Sequence, residues 1–134
     1  MDRRGVHPSY LHVLKFPDDD PAGDLHLSPE FSEWLFYIKF WDGINDRLGT
    51  IFNQYDDDVL PYESVVVVLA AIHEIQSQYL GDPAYSPNVV FGWTPEGETL
   101  EFVAKFDDVA KGITKFDILM RTAIELRSDV FCQL

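Results

Sequence analysis

The stretch VVFGWTPEGETLEFVAKF, residues 89–106, decides the fold class. Pro95-Glu96-Gly97-Glu98 is a four-residue turn with proline and glycine in useful places, and runs rich in β-branched and aromatic residues flank it. In the second run Leu100, Phe102, Ala104 and Phe106 alternate with polar positions that include Glu101 and Lys105, which gives one apolar side. The pattern predicts a β-hairpin over 89–94 and 99–106. A hairpin joins antiparallel neighbours, and the chain has no repeat of strand, helix and parallel strand around it, so an α+β architecture follows.

Residues 61–80 precede the hairpin and read as a helix with an apolar face of Val65, Leu69, Ile72, Ile75 and Tyr79. Val65 to Val68 is a β-branched run that favours a strand, but Glu63, Ala70, Ala71, Glu74 and Gln76 favour helix, and Gly81-Asp82-Pro83 ends it. After the hairpin, Ile113, Phe116, Met120, Ala123 and Arg127 lie on one face of a last helix, with Asp107 or Thr114 as its expected cap. Further upstream, Ser28-Pro29-Glu30 supplies a helix start. Phe31, Trp34, Leu35, Ile38, Trp41, Ile44, Leu48 and Phe52 follow at helical spacing, and Gly43 or Gly49 is the expected place for a break. Residues 9–16 are rich in strand formers, whereas 17–27 have loop composition. The prediction is one domain over 1–134: an antiparallel sheet of about three strands, hairpin included, against three or four helices.

Composition limits what such a domain does. Its 134 residues suffice to bury roughly two-thirds of the unfolded surface, and 46% of them are hydrophobic, so a packed core is expected. No apolar run approaches bilayer length and the first residues lack a signal sequence, which makes a cytoplasmic location the expectation. The net charge is −13, and residues 16–101 hold seventeen acids against two bases, a local balance of −15. That field repels nucleic acid and anionic membranes and attracts basic surfaces, so no direct nucleic-acid or membrane binding is expected.

The motifs of catalysis are missing from the sequence. His73-Glu74 begins like a zinc-protease helix, but Ser77 stands where the second histidine must be. Glycines occur singly, no serine lies in a nucleophile elbow, and the one cysteine, Cys132, reads as a buried or tolerated thiol. Asp56-Asp57-Asp58 lacks the alternating ligands of a calcium loop. We therefore expect no catalytic residue, no cofactor and no metal.

What remains is an acidic region with aromatic neighbours. Asp42 and Asp46 share a helix face, Tyr55 and Tyr62 bracket Asp56, Asp57 and Asp58, and Glu63 and Trp41 lie close in sequence. Carboxylates steer a basic partner, while desolvated aromatic anchors carry most of the binding energy. Those nine residues are the expected partner-binding set. The segment FNQYDDDVLPYE, residues 52–63, between an aromatic-rich and an apolar helix, resembles small immunity proteins of bacterial toxin systems. The resemblance implies an acidic, compact α+β protein that blocks a secreted toxin by binding it, and the favoured function is an inhibitor of a basic partner such as a nuclease toxin. The resemblance covers the general build and this one segment and carries over no individual residue. Two other functions fit the same residues: a small enzyme or ligand-binding domain with a pocket between helices and sheet, using His12, Asp42 or His73, and a nucleic-acid mimic.

Overall fold

In the computed structural model, which describes residues 8–53 and 56–134, six strands and four helices share one cluster of buried residues. Strand β1 (Ser9–Val13) leads through a single 3-10 turn at Pro21–Gly23 into β2 (Asp24–Leu27). Helices α1 (Pro29–Tyr37) and α2 (Phe40–Leu48) follow, then β3 (Asp57–Leu60), α3 (Tyr62–Tyr79), the hairpin β4 (Asn88–Trp93) and β5 (Thr99–Val103), α4 (Phe106–Leu126) and β6 (Val130–Gln133). The α+β class is as the hairpin implied, but the sheet is larger and differently built. Four antiparallel strands form it in the order β2-β1-β6-β3, and β4 and β5 make a separate two-stranded sheet.

Three of the four strands in the main sheet fall where no strand was expected. The loop composition of 17–27 hides β2, whose Leu25 and Leu27 point into the core while Asp24 and His26 face outward. The second acidic triplet runs into β3, an edge strand, where carboxylates can stand in water without burying charge. β6 is the chain's end, with Val130 and Cys132 fully buried. At four residues each, these strands are too short for alternation to announce them.

The helices are closer to expectation. Ser28 caps α1 by accepting a hydrogen bond from the Phe31 amide at 3.1 Å, with Pro29 at the first helical position. The break between α1 and α2 comes at Lys39, in the left-handed region at φ 60°, and not at Gly43, while Gly49 at φ 66° ends α2 as its conformational freedom allows. α3 keeps its β-branched run helical because Val65 and Val68 are both buried by the turn of the helix, together with Ala71, Ile72 and Ile75. Neither Asp107 nor Thr114 caps α4. The Ala104 amide bonds to the Pro87 carbonyl at 2.8 Å, Lys105 holds the cap position without a side-chain cap bond, and Asp107 and Asp108 stand in the first turn. Arg127 leaves the buried face and closes the helix in a left-handed conformation at φ 52°. Among the described residues no helix is long and apolar enough to cross a membrane.

α4 lies on the inner face of the sheet and places Ile113, Phe116, Met120 and Ala123 in the core. It meets α1 at Gly112, where an added Cβ would overlap Cδ1 and Cγ of the buried Phe31 ring. In an ordinary helix interior Gly→Ala stabilises by about 1 kcal/mol. Here the crowding, at roughly 1–3 kcal/mol, opposes and exceeds that gain. Gly112→Ala is expected to lower the urea midpoint, whereas Gly43→Ala, with open space around its Cβ, is expected to raise it.

Candidate functional site

The expected partner-binding residues separate into two groups and one core residue. Trp41 is 1% exposed and packs against Phe40, Phe52 and Phe116 at ring distances of 5.2, 5.5 and 6.0 Å, so it is no surface anchor. Its place in the helical period put it there. Asp42 and Asp46 are exposed on α2, which packs on α1 and α3. Asp57, Asp58 and Val59 belong to β3, and Asp56 precedes it with its carbonyl accepting from the Leu134 amide. Tyr62 is half-buried at the start of α3 with its amide on the Asp129 carboxylate, and Glu63 is exposed beside it. Tyr55 lies outside the described residues. Among the described residues no hydrogen bond or ion pair joins the α2 acids to the β3 acids, and a single continuous ledge does not form.

Instead, strand pairing assembles a face from both ends of the chain. The register aligns His26, Tyr10, Gln133 and Asp57 in one row and Asp24, His12, Phe131 and Val59 in the next, all on the side of the sheet away from α4. Asp57 is therefore on this face, whereas Asp58, opposite Cys132, is on the other. Tyr10 lies 5.0 Å from the His26 ring and 6.3 Å from that of Phe131. Tyr10, His12, Leu14, Asp18 and Phe131 line a concavity of about 310 Å³. Tyr10 and Phe131 give it aromatic walls and Asp18 a carboxylate, and the His12 ring is paired with Asp24, so the hollow suits a cationic side chain laid over the Tyr10 and Phe131 rings.

His12 organises this face. Its Nδ1 is 2.5 Å from Asp24 Oδ1 and its Nε2 is 3.1 Å from the Phe16 carbonyl. The Phe16 carbonyl only accepts, so Nε2 donates, and with Asp24 ionised Nδ1 donates as well, which is the arrangement of an imidazolium paired with a carboxylate. Burial alone would lower the His12 pKa, but the bonds to Asp24 and Phe16 and the charges of Asp24 and Asp18 outweigh it and raise the value above the ordinary 6.5. Asp24 moves the opposite way, below 3.8, through its bonds from His12 and then Tyr10. The Tyr10 hydroxyl donates to the same Asp24 oxygen at 2.8 Å and stays protonated, because burial, that bond and the nearby carboxylates all raise its pKa.

Two other features have narrower roles. His73, with no second ligand, bonds Asp117 at 2.7 Å across α3 and α4, and Arg121 closes on Asp117 at 2.9 Å, an exposed tie between helices. Cys132 is fully buried, and burial, with Asp58 beside it, pushes the thiol up to about 12. No group of three or more potential ligands for a metal occurs among the described residues. The residues that sequence reasoning missed are Tyr10, Asp18 and Phe131. The available signal was that Tyr10 and His12 alternate with the apolar Leu11 and Val13, which puts them on the opposite side of the strand.

Stability should follow the pair. The His12 contribution is complete below pH 6.5 and is lost as pH rises through its raised folded value, and that of Asp24 is present above pH 3.8 and lost as pH falls through its lowered one. Urea midpoints of the wild type are expected to decline from neutral to alkaline pH, with Asp24→Asn showing a smaller decline; parallel curves would refute the coupling. Cys132 is expected to resist iodoacetamide in the folded protein and to react once urea unfolds it.

No family model, no curated protein and no solved structure matches this chain.

Proposed function

We propose that the chain is an acidic protein-binding inhibitor of the immunity type, which neutralises a basic partner such as a bacterial nuclease toxin. The observation that carries this reading is the concavity lined by Tyr10, Phe131 and Asp18, on an open sheet face that also presents Asp57 and Val59. A lysine or arginine of the partner enters over the rings and meets the Asp18 carboxylate, and Val59, 43% exposed, extends the contact. Asp42, Asp46, Asp56 and Glu63, exposed elsewhere, act at longer range by steering the encounter. The half-buried Tyr62 and the buried Trp41 support the elements that carry these acids.

Copurification tests it. The immobilised chain, exposed to extract of its source cell at low salt, is expected to retain a basic protein whose association slows steeply as ionic strength rises. With that partner, Asp18→Lys combined with Asp57→Lys should slow association tenfold or more. Loss of an anchor worth about 2 kcal/mol, through Phe131→Ala, should speed dissociation by roughly 30-fold. Failure to retain any basic protein, or a retained one indifferent to both variants, would reject the reading.

A further inference from the structure

On the opposite side of β2 from β1 runs a groove of different chemistry. β2 has a strand neighbour on one side only, and α4 passes along it in the antiparallel sense. Two adjoining hollows, of about 120 and 200 Å³, fill the angle between them and share Lys115. The first lies between His26 and Leu27 of β2 and Lys111 of α4. The second lies between Leu25 and the α4 residues Ile118, Leu119 and Thr122. From residue 108 to residue 122 the helix covers about 21 Å, the length of six or seven extended residues.

The sign of the groove is opposite to that of the molecule. Lys111 and Lys115 are exposed and neither forms an ion pair among the described residues. Of the two acids along the groove, Asp24 is taken up by its bonds with His12 and Tyr10, which leaves Asp108 at the far end of the first hollow. Ile118, 58% exposed, gives the second hollow an apolar wall. An open strand edge offers backbone hydrogen bonds, and a helix alongside offers side-chain specificity, which together are the requirements for adding a peptide strand to a sheet.

We infer that this groove binds an extended peptide taken up as a fifth strand antiparallel to β2, whose side chains on the α4 side, every second residue, are acidic in its first half and apolar in its second. The carboxylates meet Lys111 and Lys115, and the apolar side chains sit against Ile118 and Leu119. The inference is independent of the reading above, which uses the other face of the sheet.

The probe is fluorophore-labelled acetyl-Glu-Thr-Glu-Thr-Val-Thr-Val-amide, whose two glutamates and two valines share one side of the strand, titrated with the full chain and read by fluorescence anisotropy. Saturable binding is expected, weakened at least tenfold by Lys111→Glu combined with Lys115→Glu, and weakened by added salt. The same peptide N-methylated at alternate residues, which cannot complete a ladder, is expected to lose binding, and one with lysine in place of glutamate is expected to bind elsewhere, unaffected by the two charge reversals. Three results overturn the inference: no saturation at millimolar protein, equal binding of the N-methylated peptide, or a concentration-dependent dimer that Ile118→Asp abolishes, which would make a second copy of this chain the occupant. Thermal melts of each variant verify that the fold is retained.

Discussion

Strand β6 is the piece on which the sheet depends, because its four residues pair with β1 on one side and β3 on the other. Without it β3 has no partner strand and β1 keeps only β2. The corner that delivers β6 is correspondingly well fixed. Arg127 turns the chain out of α4, the Ser128 amide bonds back to the Ala123 carbonyl at 2.9 Å, and the fully buried Ser128 hydroxyl donates to the Asp129 carbonyl at 2.8 Å while accepting from the Lys15 amide. Asp129 holds both flanks, its carbonyl taking the Leu14 amide and its carboxylate the Tyr62 amide. The sheet is thus closed by pairing segments far apart in sequence, which slows folding because loop entropy must be overcome before the contacts reward it.

That dependence explains what the sequence made legible. Helices are local: the spacing of Phe31, Trp34 and Leu35, the Ser28 cap and the Gly49 stop are all readable within a few residues. The hairpin is local too, with Gly97 at φ 85° in its turn. β2, β3 and β6 are not, since Asp57-Asp58 becomes a strand only because Gln133 and Cys132 stand beside it. The break at Lys39 was illegible for another reason. Glycine is the usual bearer of a left-handed conformation, and Gly43 nearby gave a false sign.

The candidate site was hidden by the same cause. Tyr10 and Phe131 come from opposite ends of the chain and meet only through the β1 and β6 pairing. Acidity, by contrast, is visible in composition, but composition does not say which carboxylates share a surface. Asp56, Asp57 and Asp58 are consecutive, yet strand alternation sends Asp57 to the open face and Asp58 toward Cys132. Trp41 makes the complementary point: an aromatic residue next to acids in sequence is a core residue when the helical period turns it inward.

Electrostatics link the two surfaces through β2. Asp24 accepts from His12 and Tyr10 at the open face, and its strand borders the basic groove. A free carboxylate there would oppose Lys115 on one side and leave the His12 ring a buried, uncompensated cation on the other. Joined, the two groups are close to neutral as a unit, so Lys111 and Lys115 set the sign of the groove and Asp18 and Asp57 that of the open face. At separations beyond a Debye length of about 8 Å, solvent and salt keep the fields of exposed groups largely apart. A domain of strongly negative net charge can in this way carry a local positive groove, with the partly buried His12–Asp24 pair standing between the two surfaces.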